Sequence, residues 1–193
     1  MVLCYNIDMD KEVWVNERIK FVAVSPDFAV AKYNSAIHSR DHLLPWLSWV
    51  HYYENCKSPE EGIQKMRDFQ MFMADEFEKG LTFSYDIFYD GKFAGTVAIV
   101  KISRENNYCE IGYWLDKDFI RKGIMTNAVN KITGMAFSIL DMHCVSIQAA
   151  HKNLASRAVA ERCDFKLEAT LREQLLIEGV YYDRCVYTKL VSD

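Results

Sequence analysis

"EIGYWLDKDFIRKGIMTNAV", residues 110–129, carries a strand-like run into a basic pair, a glycine, and then a helix of small and apolar residues. The first turn of a helix has unpaired backbone N–H groups and the positive end of the helix dipole, so this order presents a helix N-terminus to an anion. Gly123 allows a bulky group close to the backbone, and the N–H groups of Gly123, Ile124, Met125 and Thr126 are the donors on offer. Taken alone, the turn is equally consistent with an ordinary helix start beside two solvated basic residues, Arg121 and Lys122.

Working downstream, residues 123–140 repeat Ile124, Ala128, Val129, Ile132 and Ala136 on one helical face, and "HCVSIQAAH" (143–151) reads as the next strand. A strand, helix, strand unit of this length is a right-handed crossover between parallel neighbours, which predicts residues 110–115 and 144–150 side by side or nearly so. In an open sheet, ligands bind where a parallel strand ends and the following helix begins, which is the turn at Arg121 to Gly123. A short helix (154–162) follows, then "FKLEATLREQLL" and "VYYDRCVYTKL", two strands turning near Glu178-Gly179.

Working upstream, "LTFSYDIFYDGKFAGTVAIVKI" (81–102) is a pair of strand patterns joined at Asp90-Gly91, a tight-hairpin signal, and "YCEIGYWL" (108–115) is a third strand. "SPEEGIQKMRDFQMFMADEFEKG" (58–80) is a helix. Ser58 is its N-cap, Pro59 its first residue, and Glu61 reaches back as a capping box, while Ile63, Met66, Gln70, Met73 and Phe77 share a face and Gly80 closes it. Before it, "RIKFVAV" (18–24) reads as a strand, "SPDFAVAKYNSAIH" (25–38) as a helix, and "RDHLLPWLSWVHYY" (40–53) as a short apolar helical turn broken by Pro45. The predicted order is β, αα, βββ, α, β, α, ββ: an α/β (α+β) fold with a mixed, mostly antiparallel central sheet, one parallel crossover, and helices on both faces.

The 193 residues, half of them hydrophobic, fit one domain spanning the chain, with no repeat, low-complexity stretch or Pro/Gly-rich linker. A net charge of −4 without a Lys/Arg run argues against nucleic acid as partner. No apolar segment approaches a membrane span, and "MVLCYNIDMDKE" (1–12) places acids where a signal peptide has a basic start. Cys4, Cys56, Cys109, Cys144, Cys163 and Cys185 include no C-x-x-C pair, so they read as free thiols of a cytoplasmic protein.

The opening stretch, followed by "NLASRAVAERCDFKLEATLRE" (153–173), resembles the GNAT superfamily of acyl-CoA-dependent N-acyltransferases. The early segment "HLLPWLSWV" (42–50) is similar to the RimL-like branch of that superfamily, the ribosomal-protein N-terminal acetyltransferases that act on alanine or serine. In this family the turn reads (Gln or Arg)-x-x-Gly-x-(Gly or Ala) and its amides hold the coenzyme A pyrophosphate. Here it is Ile120 to Met125, and only the central Gly123 is kept. The first position is aliphatic, and Arg121 stands where relatives often have glycine. In the second motif Asp164 replaces a usual glycine, which a left-handed helix end tolerates, and Ala169 replaces another.

What the resemblance implies is a GNAT fold and acetyl-CoA as cosubstrate; the residues themselves suggest no metal. The strand carrying Glu110 is expected to splay from its neighbour, so that backbone donors at Ile111, Tyr113, Trp114 and Leu115 meet the pantetheine arm, with residues 146–150 as the other wall. Arg121, Lys122, Gly123, Ile124, Met125 and Thr126 would hold the phosphates, and Asn153 the pantetheine amides. Acyl transfer to an amine needs the amine deprotonated, the thioester carbonyl polarised and the leaving thiolate protonated. Glu110 is the candidate base, its apolar neighbours favouring a raised pKa, and Ser156 the candidate acid. The bland explanations are a solvent-facing strand glutamate, and an N-cap at Asn153 with Ser156 as the helix's third residue.

The implied reaction is direct transfer, in a ternary complex, to a primary amine, foremost the N-terminal α-amine of a ribosomal or other protein. Two alternatives stay open: a small amine such as a polyamine or antibiotic as acceptor, and a catalytically silent acyl-CoA-binding domain in which Ile120 and Asp164 mark decay. The branch also admits a homodimer. His38 and His42 have zinc-pair spacing without a third ligand and read as surface residues, Cys109 and Cys144 as packing, and His151 as a loop residue. Trp46, Trp49, Tyr52 and Tyr53 form an aromatic cluster, at least one tryptophan of which belongs to the core.

Overall fold

The computed structural model describes residues 9–193; Cys4 and the rest of the 1–8 stretch lie outside the described residues. The strands are β1 (Glu12–Trp14), β2 (Ile19–Ala23), β3 (Phe83–Tyr89), β4 (Lys92–Ser103), β5 (Tyr108–Leu115), β6 (Cys144–Ala150), β7 (Lys166–Ile177) and β8 (Val180–Leu190). The helices are α1 (Ala29–His38), α2 (Arg40–Leu43), α3 (Trp49–Glu54), α4 (Pro59–Glu78), α5 (Ile124–Ser138) and α6 (Leu154–Arg162). The expected order holds from β3 onward. Before it, a three-residue edge strand, β1, had no sequence signal, and Pro45 separates α2 from α3 where one broken turn was expected.

The eight strands form one sheet in the order β1-β2-β3-β4-β5-β6-β8-β7, in which only β5 and β6 run parallel. Both hairpin signals close as expected, with Asp90 and Gly91 at φ 48° and 76°, and Glu178 and Gly179 at 49° and 75°, the positive angles that two-residue hairpin loops require. The parallel seam is short. Tyr108, Cys109 and Glu110 pair with Cys144, Val145 and Ser146, and beyond that point the two strands diverge. Residues 111–115 keep β4 on one side, residues 147–150 keep β8 on the other, and between them the sheet is open.

Side-chain alternation gives the sheet two distinct faces. From β5, Tyr113 reaches Ser156 of α6 on one face, while Trp114 packs on Trp49 of α3 on the other, ring centroids 5.7 Å apart. The α5 side buries Val97, Ile99, Ile111, Ile124, Val129, Ile132 and Ile147 in one continuous core. On the opposite face α1 crosses α4 where Gly62 lies against Tyr33: a Cβ there would come within 2.3 Å of the tyrosine ring. Ser58 caps α4 through the Glu61 N–H (3.3 Å), but the Glu61 carboxylate accepts from Lys57 N–H (2.8 Å) instead of the N-cap's own amide. No helix among the described residues is long and apolar enough to cross a membrane.

One buried ion pair fastens the helical layer to the sheet: Lys32 Nζ of α1 lies 2.6 Å from the Asp86 carboxylate of β3, which also accepts from Thr96 Oγ1 and Gln70 Nε2. Burial pushes the Asp86 carboxyl upward, and the Lys32 ammonium draws it back down. Removing Lys32 leaves an uncompensated buried charge, so Lys32→Met is expected to cost about 3–5 kcal/mol near pH 8. Without Lys32 the folded-state value rises further above the unfolded one, and the folded state then binds more protons. Stability therefore returns as pH falls, and urea denaturation of K32M at pH 5.5 and 8 should show the larger deficit at pH 8.

Candidate active site

The open part of the sheet is the floor of a cleft of about 1030 Å³, at the upper end of the roughly 300–1,000 Å³ common for ligand pockets. On one side stands the start of α5. Gly123 is its N-cap at φ 73°, and no side chain caps the helix. Asn127 N–H and Nδ2 both return to the Gly123 carbonyl, so the amides of Ile124, Met125 and Thr126 have no acceptor within the helix. Space above the glycine is open, since a Cβ would meet only Asn127 Nδ2 at 3.7 Å. Arg121 adopts φ 60°, a left-handed backbone that glycine takes most readily, and it lines the cleft. These are the features of an anion cradle, and the donor set suits phosphate.

The cradle is held from behind. Buried Asp116, at the end of β5, accepts from Ser35 Oγ of α1 (2.6 Å) and from Asp118 N–H (2.9 Å), while Ser39 Oγ accepts from Lys117 N–H (3.0 Å). The same loop takes Lys122 away from the cleft. Its ammonium donates to the Asp118 carbonyl (2.8 Å) and sits 5.0 Å from the centre of the Phe119 ring, unlike the phosphate contact expected for it.

On the same face as α5, Asn153 caps α6 by accepting from Ser156 N–H (3.1 Å), and both residues line the cleft. Tyr113 crosses to α6, its hydroxyl donating to the Ser156 carbonyl (3.0 Å) and lying 3.1 Å from Ser156 Oγ. Burial pushes the Tyr113 phenol up to about 12, so it stays protonated and Ser156 has a neutral partner. The helix end at Asp164 survives the replacement of glycine: Asp164 takes φ 61°, and Phe165 N–H still reaches the Ala160 carbonyl (3.0 Å). Arg162, from the last turn of α6, leans back to the cradle and donates to Thr126 Oγ1 (3.2 Å).

Glu110 shares a sheet face with Gly112 and Trp114, opposite Ser156. The two candidate catalytic residues therefore see each other's side of the sheet only through the gap that opens just after Glu110. Its side chain is 13% exposed, and its carboxylate lies 3.0 Å from Lys101 Nζ. This half of the cleft is walled by His42, Leu43 and Trp46 and by Leu175, Leu176 and Ile177, with Gln148 and Arg184 supplying polar groups. Arg184 donates to Gln148 Oε1 (3.1 Å), while its buried Nε has no partner among the described residues. Glu178, at the β7–β8 turn, accepts from His51 Nε2 (3.1 Å), and Trp46 meets Tyr182 edge-on, so helix and hairpin close over this side.

Of the other marked residues, His42 and Trp46 reach the cleft and the rest fall apart from it. His38 pairs with Asp118 (2.9 Å) whereas His42 faces the cleft, so the two histidines do not converge. Burial pushes the Cys109 thiol up to about 12 and raises Cys144 and Cys163, which keeps all three as thiols. Trp49 packs on Tyr53 and Trp114, and of Trp46 and Trp49 it is Trp46 that lines the cleft. Lys101, Arg162 and Arg184 line it without having been singled out; only their places on strands or in the second motif could have hinted at them.

This architecture places the chain among acetyltransferases. It superposes with a TM-score of 0.86 on the microcin C7 self-immunity acetyltransferase MccE, solved with acetyl-CoA and AMP, at 26% identity over 95% of this chain and 98% of that one. It shares its fold with RimL, the ribosomal L7/L12 α-N-protein acetyltransferase solved with coenzyme A (TM-score 0.85, 24% identity, 93% and 98% covered). Residues 18–166 match the family described as acetyltransferase (GNAT) domain, and the chain belongs to that family of N-acetyltransferases. Among relatives, "Putative ribosomal N-acetyltransferase YdaF" of Bacillus subtilis (strain 168) is 33% identical over 178 residues, 91% of this chain and 93% of YdaF. The ribosomal-protein-serine acetyltransferase of Escherichia coli (strain K12) is 22% identical over 184 residues, 95% of this chain and 99% of its own.

Proposed function

We propose that the protein moves an acetyl group from acetyl-CoA to the N-terminal α-amine of a protein, a ribosomal protein being the acceptor class named for its relatives, by direct transfer with both substrates bound. One observation carries this reading: Glu110 and Ser156 lie on opposite faces of the sheet yet line one cleft, joined through the gap between β5 and β6. The donor occupies the α5 and α6 side. The Ile124 to Thr126 amides, with Arg121 and Arg162, hold its phosphates, Asn153 and the β5 edge at residues 111–115 meet its arm, and a β5 amide polarises the thioester carbonyl.

The acceptor enters from the α2 and β7 side, where Arg184 and Gln148 offer donors to peptide carbonyls. Its ammonium gives a proton to Glu110, directly or through a water; the amine then attacks the thioester carbonyl, the carbon–sulfur bond breaks, and the sulfur takes a proton from Ser156, which is replaced by the one the nitrogen sheds on becoming an amide. An α-amine, with a pKa of about 7.7–8, needs less help from such a base than a lysine at about 10.4, which favours a chain terminus over a side chain.

Incubating the protein with labelled acetyl-CoA and a cell extract, then separating protein from small molecules, should place the label on protein N-termini. Label confined to small amines would replace the acceptor assignment. Ser156→Ala is expected to slow the chemical step by about 10–100-fold with acetyl-CoA affinity within threefold, and an unchanged step would take Ser156 out of the mechanism. Tyr113→Phe should cost less, in the range of one neutral hydrogen bond, about 1 kcal/mol.

A further inference from the structure

Lys101 is aimed by a defect in the sheet. Val100 pairs with Glu110, and the next regular pair is Ser103 with Tyr108, so residues 101 and 102 of β4 face a single position of β5. In a regular ladder, Lys101 would point to the face opposite Glu110. Instead it takes φ 50°, in the left-handed region that is unfavourable for a non-glycine residue, and its ammonium turns onto the Glu110 carboxylate at 3.0 Å. Local strain of this kind marks a place where a side chain is being directed.

The position it is directed to is the one the reaction needs. Among the described residues, Glu110 is the single carboxylate lining the cleft, where the other charged groups are Lys101, Arg121, Arg162 and Arg184. An acceptor arriving as an ammonium ion therefore has one anionic partner, and Lys101 already holds it. The Lys101 side chain is 62% exposed, against 13% for Glu110, so the lysine can swing into solvent while the carboxylate stays.

We propose that Lys101 is a tethered stand-in for the acceptor's ammonium, a specificity-determining residue that the incoming amine displaces from Glu110. The proposal rests on the acetyl-transfer reading above. The lysine then acts as a filter. Neutral groups cannot displace it, and an ammonium does so at the cost of a weaker apparent affinity, because only the fraction of molecules with Lys101 swung out is competent to bind.

The test compares wild type with Lys101→Met, which keeps the length and removes the charge, and Lys101→Arg, which keeps the charge. Two readouts are taken on a seryl tripeptide amide: steady-state acetylation, and calorimetric binding to the protein saturated with coenzyme A. The expected result for K101M is a 3- to 10-fold lower KM and a matching lower Kd, with kcat within twofold, while K101R stays within twofold of wild type in both. An unchanged or higher Kd in K101M overturns the proposal, and so does a loss of kcat at constant KM, which would make Lys101 a positioning residue for Glu110. If wild type acetylates no amine at all, the function reading fails by itself, and the binding comparison still decides the role of Lys101.

Discussion

Glu110→Gln is expected to lower kcat/KM by about 10²–10⁴-fold while leaving acetyl-CoA affinity within a factor of about three, the range set by the loss of a positioned base. The amide keeps the shape and burial of the side chain and removes its ability to take a proton. Because Glu110 sits on the sheet face opposite α6, Asn153 and Ser156 are untouched by the change. What activity is left in the variant must use amine that has already lost its proton in solution. Its rate should climb about tenfold per pH unit and level off near pH 8, where an α-amine is half deprotonated. Stopped assays from pH 6 to 9 on a peptide with a free N-terminus measure both effects, and wild-type turnover in E110Q across that range would remove Glu110 from the mechanism.

The second large effect is expected at the cradle. Gly123→Asp should weaken coenzyme A binding by about 100-fold or more with a melting temperature within a few degrees of wild type. Aspartate is among the residues that tolerate φ near 73°, and the space around a Cβ at this position is open, so the backbone has no cause to rearrange. A carboxylate would then stand among the amides assigned to phosphate, and charges of like sign a few ångströms apart in a sheltered cleft cost several kcal/mol. Gly123→Asn carries the same backbone demand without the charge and should lose far less. Calorimetric titration with coenzyme A of both variants separates charge from shape, and equal affinity in the two would argue that the phosphates lie elsewhere.

Much of this architecture was legible because it is written in local chemistry. The Asp90-Gly91 and Glu178-Gly179 turns force positive φ, and the apolar spacing of residues 124–136 has one helical solution. The strand, helix, strand order around Gly123 dictates the parallel pairing of β5 with β6. Missed features were those decided at long range. β1 is three residues held only by pairing with β2. Lys122 turns from the cleft because Asp116, Ser35 and Ser39, from distant parts of the chain, fix the loop that carries it. Lys101 reads as an alternating strand residue until the bulge rotates it, and a bulge within an apolar run leaves no mark on composition. Trp46 and Tyr182 come from distant parts of the chain and meet only once the β7–β8 hairpin has folded over the α2–α3 segment, which also brings Arg184 to the cleft.

Three rungs hold β5 to β6, and above them the lips of the sheet keep unspent hydrogen-bonding capacity. A thioester whose arm lies along both lips would complete the ladder that the polypeptide leaves unfinished, so the donor would double as a structural strut. Binding only the folded form stabilises it by mass action, by about 2.7 kcal/mol at a hundred times the dissociation constant. Resistance to heat and to proteases in a cell would then follow the supply of acetyl-CoA, and the enzyme would persist longest when its own raw material is abundant.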